Sequence, residues 1–248
     1  MNELDYKSFY EKVGKTNGWD FSKLQVMLEG VLWDFNEEIR KKSKSSDVLL
    51  DIGTGGGENL LSIAHSFLFL IGIDLSSAMI EMAQTNLKES NSSNVRFFQM
   101  SSDELQFPLE LFDVVTCRHA PFSSTEVAKV LKKDGYFFTQ QVGEGDKINL
   151  KEAFKRGQLN EENGALLSKY VRELKQAGFS EVTTFEYDAT DYYQRPEDLI
   201  FLLKHTPTIP NFGKETDDIE VLNDFIKNNN TPKGIRTNSK RFLIIARK

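Results

Sequence analysis

The sequence has 248 residues, 39% hydrophobic and 27% charged, which suits one large α/β domain or a core domain with an elaborated lobe. Its formal net charge of -6 argues against a broad nucleic-acid surface, and a single cysteine, Cys117, excludes an intramolecular disulfide or a cysteine-based metal cluster. The longest apolar run, Phe67 to Ile73, is far too short to span a bilayer, and Met1 to Tyr10 lacks the apolar core of a signal peptide, so the expectation is a cytoplasmic protein with no membrane partner.

In chain order, residues 1–42 are predicted helical, with Phe9, Val13, Trp19, Phe21, Leu24, Leu28, Val31, Leu32, Phe35 and Ile39 at apolar positions and a break from Gly14 to Gly18. From Asp47 onward strands and helices alternate. Strands are predicted at 48–52, 68–74, 95–100, 112–117 and 136–142, and helices at 58–66, 76–88 and 123–132. Apolar strands alternating with helices indicate a parallel sheet covered on both faces. After Gly145 the chain reads as helices interrupted near Asn160 to Gly164; Leu166, Leu167, Tyr170, Val171 and Leu174 form one helical face that Gly178 stops. A strand at 181–187 follows. Residues 189–239 then hold two helices, around 197–204 and 217–228, before a strongly apolar last strand at 241–246.

The chemistry-bearing stretch begins at Val48, where a buried strand runs straight into Gly53-Thr54-Gly55-Gly56-Gly57 and then a helix. A sharp strand-to-helix turn needs positive φ, and a ligand that approaches bare backbone needs the missing side chains. Read as the dinucleotide fingerprint G-x-G-x-x-G from Gly53, the last glycine falls on Glu58, which disfavours nicotinamide or flavin. No Gly-Lys-Ser or Gly-Lys-Thr follows, so a phosphate-binding P-loop is excluded. The alternative D-x-G-x-G-x-G is satisfied by Asp51, Gly53, Gly55 and Gly57. Asp74 ends the next strand, where a carboxylate can accept from both hydroxyls of a ribose, and Ser76 is a helix N-cap.

Together with Gly72-x-Asp74-x-Ser76-x-x-Met79-x-x-x-Ala83, these segments resemble the class I S-adenosylmethionine-dependent methyltransferases, in particular the bacterial, methyltransferase type 11-like branch. The resemblance covers most of residues 47–142. It implies a Rossmann-like, doubly wound, seven-stranded, mostly parallel sheet whose antiparallel last strand slots between strands five and six. N-terminal helices and a helical insertion before the last strand complete the expected fold. The expected layout is a single 1–248 domain, with a 1–42 cap, a 47–188 cofactor-binding core, a 189–239 lid bearing Tyr192, Tyr193 and Arg195, and a 240–248 last strand.

The resemblance further implies S-adenosyl-L-methionine as cofactor. Asp51, Gly53, Thr54, Gly55 and Gly57 would lie against its methionine end and Asp74 on its ribose. Leu75 would be an adenine wall as well as a core residue, and Ser101, Ser102 or Asp103 would hold the adenine. The family's usual Asp followed by a small residue is replaced here by Ser101 and Ser102, so the partner of the exocyclic amine stays open between Ser101 and Asp103. Arg118 and His119 follow the fourth strand, where the family places the end of the cofactor site. His119 has the pKa for a general base, although a lone histidine more often positions or packs. Tyr10, with Tyr6 and Phe9, would close over the cofactor or form a buried stripe. Either Gln140 or Gln141 could face a substrate. His65 and His205 read as structural, and no histidine pair has metal-ligand spacing, so no metal is expected.

The reaction implied is methyl transfer to a small-molecule acceptor. The alternatives are a non-catalytic S-adenosylmethionine- or S-adenosylhomocysteine-binding regulator, an RNA methyltransferase using Lys233, Arg236, Lys240, Arg241, Arg247 and Lys248, and an NAD-dependent oxidoreductase. The Asn/Asp-Pro-Pro-Tyr/Phe motif of base-nitrogen methylation is absent after the fourth strand.

Overall fold

The structure, a computed structural model, describes residues 24–159 and 162–248. Its elements are β1 (Val26–Glu29), α1 (Phe35–Lys42), β2 (Val48–Ile52), α2 (Glu58–Ser62), β3 (Phe69–Asp74), α3 (Ser77–Ser90), β4 (Val95–Gln99), β5 (Phe112–Arg118), α4 (Ser124–Val130) and β6 (Leu131–Val142). Then come α5 (Ile148–Phe154), α6 (Ala165–Gln176), β7 (Glu181–Tyr193), α7 (Pro196–His205), α8 (Asp218–Asn229), β8 (Asn230–Thr231) and β9 (Gly234–Arg247).

One sheet runs in the order β4-β3-β2-β5-β6-β9-β7-β1, with β8 paired to β9. The strands from β4 to β6 are mutually parallel, whereas β9 is antiparallel to both β6 and β7. The last strand therefore lies between the fifth and sixth strands of the expected core. Because successive side chains leave a strand on opposite faces, β2 sends Leu50 and Ile52 to one layer and Leu49 to the other. The first layer also holds Val127 and Val130 of α4 and Tyr170 and Leu174 of α6; the second holds Phe35 and Ile39 of α1, Leu60 of α2 and Ile80 and Ala83 of α3. A third cluster, around Tyr193, Leu199, Leu203, Leu222, Phe225 and Ile235, packs α5, α7 and α8 against the far ends of β7 and β9.

Three expectations are corrected. Val26–Glu29 is a strand, not helix, antiparallel to β7 from Val26↔Tyr193 to Glu29↔Thr190. Its cause is non-local: an edge of β7 offers unpaired backbone groups, and pairing satisfies them. The sheet accordingly exceeds seven strands. Residues 189–193 and 234–239 belong to β7 and β9, which stay paired from Glu181↔Arg247 to Tyr193↔Ile235, so the helical insertion between them is shorter than 189–239. Thr190, Tyr192, Tyr193, Ile235 and Thr237 are residues that fit a pleated surface. Tyr6, Phe9 and Tyr10 lie outside the described residues.

The long ribbon carries a buried ionic network. Lys147 Nζ donates to Asp191 Oδ2 at 2.5 Å and to the Asn238 carbonyl at 2.9 Å, while Arg241 pairs with Asp146. Burial pulls the Lys147 ammonium down, but Asp146, Tyr193 and Asp191 together hold it above its ordinary value. Among the described residues no helix is long and apolar enough to cross a membrane.

Candidate functional site

The glycine loop lies where β2 and β3, paired in parallel, both reach their carboxyl ends. Gly53, Gly55 and Gly57 all adopt positive φ, of 71°, 57° and 79°. The N–H groups of Gly53 and Thr54 both donate to the Ile73 carbonyl at 2.9 Å, so the loop folds back over the end of β3. From α3, Asn86 donates to the Gly56 carbonyl at 2.9 Å and holds the loop from outside. A Cβ on Gly53 would run into the Ala120 methyl, and one on Gly57 into the Phe97 ring, so bare backbone is required there twice over.

Asp74 is fixed by this loop. Its Oδ2 accepts from the Gly55 N–H at 3.0 Å and its Oδ1 from the Ser76 N–H at 2.9 Å, which leaves each oxygen a further lone pair. Burial raises its pKa, and the hydrogen bonds from Ser76 and Gly55 oppose that rise. Ser76 caps α3 by accepting from the Met79 N–H at 3.3 Å. Asp51 is buried, and its Oδ1 accepts from the Thr116 hydroxyl at 2.7 Å. Desolvation pushes its pKa up to about 6 against the Thr116 hydrogen bond, the nearby Thr54 hydroxyl and the Arg118 charge. Among the described residues the buried Thr54 hydroxyl has no partner within hydrogen-bond geometry.

Beyond Asp74 a shallow cleft of about 280 Å³ is lined by Leu75, Gln99, Met100, Ser101, Glu104 and Gln106. Of the three residues expected at the adenine, Ser101 lines this cleft. Ser102 and Asp103 do not; the exposed Asp103 instead donates its N–H to Ser101 Oγ at 3.2 Å. Gln99 was not anticipated, because its role rests on a contact outside its own strand: Nε2 donates to the Leu75 carbonyl at 3.1 Å.

The loop after β5 closes the other side. Arg118 Nη1 donates to Asn59 Oδ1 at 3.2 Å and has no carboxylate in ion-pair distance among the described residues. His119 sits at φ 57°, its N–H donating to the Gln140 carbonyl at 2.9 Å. Both residues keep solvent-exposed surface, yet enough protein surrounds their charged groups to desolvate them in part. Desolvation, then the Arg241 and Arg118 charges, lowers the His119 pKa well below the ordinary imidazole value and disfavours the imidazolium. Gln141 ties the same loop down by donating to the Ala120 carbonyl at 2.8 Å, and Cys117 is packed, its thiol pushed up by burial and by Asp51. Gln140, already a candidate from the end of its strand, contacts His119 and is held by Trp33, which lies 107 residues away in sequence and carried no local signal.

A bare-backbone cradle, a strand-end carboxylate with lone pairs to spare, and a buried carboxyl at about 6 awaiting a positive charge all suit a ligand with ribose hydroxyls, an ammonium and a sulfonium. No group of His, Cys, Asp and Glu among the described residues is arranged to hold a metal ion.

Residues 49–135 match a family model described as a methyltransferase domain. YcgJ of Bacillus subtilis, described as an uncharacterised methyltransferase, is 41% identical over 96 residues, 36% of this chain and 38% of YcgJ. The aligned segments span between 32% and 51% of the length of the first curated relatives. The crystal structure of YcgJ superposes with a TM-score of 0.63 over 86% of this chain and 97% of that one, at 22% identity. A Haemonchus contortus phosphoethanolamine N-methyltransferase 2 in complex with phosphomonomethylethanolamine and S-adenosylhomocysteine superposes at 0.55, over 87% of this chain and 52% of that one, at 20% identity. The [4+2]-cyclase SpnF superposes at 0.57, over 86% of this chain and 80% of that one, at 19% identity. At these identities the likeness concerns the fold.

Proposed function

We propose that this chain, whose residues 49–135 match a methyltransferase-domain model, is an S-adenosylmethionine-dependent methyltransferase that transfers a methyl group to a small-molecule acceptor. The observation that carries this reading is the junction of the glycine loop with Asp74, whose carboxylate is aimed by the Gly55 and Ser76 amides. Asp74 would accept from the ribose hydroxyls, Gly53 to Gly57 would line the methionine end, and Asp51 would offset its positive charges. Leu75 and Ser101, in the adjoining cleft, would bound the adenine. When bound, S-adenosylmethionine supplies an activated sulfonium methyl. The residues around it then act chiefly by orienting donor and acceptor and excluding water. The C-terminal cations disfavour an RNA substrate, since Lys233, Arg241, Arg247 and Lys248 are each engaged with carboxylates.

A second reading is a cofactor-binding protein that does not transfer methyl. The lowered basicity of His119, the lack of an obvious base beside it among the described residues, and a fold shared with a cyclase favour keeping it in the test. Incubation with methyl-labelled S-adenosylmethionine and a panel of metabolite nucleophiles separates the two. Enzyme-like turnover of any acceptor supports methyl transfer, and tight cofactor binding without turnover across the panel favours the second reading.

A further inference from the structure

The Trp33 indole N–H lies 2.8 Å from Gln140 Oε1. An indole nitrogen can only donate, so the atom facing it must be the carboxamide oxygen, and this fixes which way Gln140 points. The Gln140 amide nitrogen then faces His119 Nε2 at 3.1 Å. An amide NH₂ can only donate, so Nε2 must supply a lone pair. In a neutral imidazole the proton is consequently on Nδ1. That nitrogen makes no hydrogen bond among the described residues, and the side chain is exposed beside the carboxylate-free Arg118. Trp33 is itself held, its ring 4.4 Å from that of Tyr187 on β7.

We propose that Trp33 and Gln140 are positioning residues that lock His119 as its Nδ1–H tautomer, so that His119 presents a hydrogen-bond donor, with Arg118, to an anionic ligand oxygen and does not serve as general base. The inference rests on the methyl-transfer reading for its functional meaning, but the tautomer is a property of the protein alone and is testable without it. The oxygen belongs either to the acceptor, which would then carry a carboxylate, phosphate or similar oxyanion, or to the cofactor's own carboxylate. In both cases the pair Arg118 and His119 recognises negative charge with one planar, forked guanidinium and one neutral donor.

Long-range proton–nitrogen NMR on the uniformly labelled full chain, with His119 assigned by comparison with His119→Gln, reads the tautomer directly. A protonated Nδ1 and unprotonated Nε2 from pH 6 to 8 are expected; the opposite tautomer, or an imidazolium at pH 7, overturns the proposal. Trp33→Phe removes the indole donor and frees the carboxamide to turn, so a tautomer mixture is expected. Gln140→Glu places a charged acceptor at Nε2, and His119 should change tautomer and titrate at a higher pH than in the unmodified chain. The charged groups acting on it are Arg241 on β9, paired with Asp146, and Arg118 on β5, which in turn feels Tyr187 on β7, Asp51 on β2 and Asp34. Should Gln140→Glu not fold, Trp33→Phe decides alone, and an unchanged tautomer in a folded Trp33→Phe protein overturns the positioning role. Binding of S-adenosylhomocysteine and of 5′-methylthioadenosine, which lacks the amino-acid carboxylate, distinguishes the oxygen's source. A tenfold or greater loss in His119→Gln confined to S-adenosylhomocysteine assigns it to the cofactor. Retention of both assigns it to the acceptor, and equal loss of both overturns the donor role.

Discussion

Asp51 is a carboxyl held by burial at a pKa of about 6, against 3.8 for a free aspartate. Because folding raises this pKa, the native state binds its proton more tightly than the unfolded chain does. The penalty is therefore absent below the unfolded value and fully present above the folded one, where it reaches about 3 kcal/mol. Asp51→Asn keeps an oxygen for the Thr116 hydroxyl, so in ligand-free protein it should raise the thermal midpoint at pH 7 to 8, with the gain shrinking as the pH approaches 4. A cationic ligand reverses the preference, since it favours the ionised carboxylate. S-adenosylmethionine affinity should thus weaken by up to about tenfold per unit as the pH falls below about 6, and titrations across that range check both statements. A flat affinity profile would detach Asp51 from the ligand. At Asp74 the change to Ala removes charged acceptors on the order of 1.5–3 kcal/mol each, so the same titrations should show a loss of at least about 100-fold. Much of this was legible in the sequence. Asp51, the glycines and Asp74 announce themselves because a strand end, a tight turn and a strand-end carboxylate are local features. His119 was legible as a candidate but not as a donor, because its tautomer is set by Trp33 and Gln140 from elsewhere in the chain.

At the scale of elements, the loops after β2 and β5 interlock through Gly53 and Ala120. Gly53→Ala meets two obstacles, a φ of 71° and the Ala120 methyl. The left-handed backbone alone costs roughly 1–2 kcal/mol for an L-residue. A lowered midpoint and lost cofactor binding are expected, and Ala120→Gly in the same chain should restore part of both by removing the collision while leaving the backbone strain. No recovery in the double variant would show that the two loops are not coupled through this contact. The strands β2, β3 and β5 were readable because a central parallel strand is buried on both faces and becomes a continuous apolar run. β1 was not, since most of its residues are exposed and its conformation comes from the edge of β7, a partner more than 150 residues away in sequence.

At the scale of the whole molecule, β7 and β9 run on past the core to carry a third hydrophobic cluster, and Lys147 sits between the two regions with Asp191. Lys147→Met strands Asp191 and Asp146 with less compensation, which should destabilise the protein by about 3–5 kcal/mol in denaturant titrations. Adding Asp191→Leu should recover a large share, because removing both partners leaves less uncompensated buried charge. The folded pKa of Lys147 is raised, so its contribution is intact at neutral pH and fades only as the pH rises through that value. The length of this ribbon was hidden from the sequence because Ala189 to Tyr193 and Gly234 to Ser239 lie beside polar, turn-rich segments and become strand through partners distant in sequence, above all each other.

The most direct measurement is a calorimetric titration of the chain with S-adenosylmethionine and, separately, with NAD, repeated for Asp74→Ala. Saturable binding of S-adenosylmethionine, no binding of NAD, and a loss of at least about 100-fold in the variant are expected. Binding of NAD alone, or S-adenosylmethionine binding that is indifferent to Asp74, would contradict the assignment of the glycine loop and Asp74 to this cofactor.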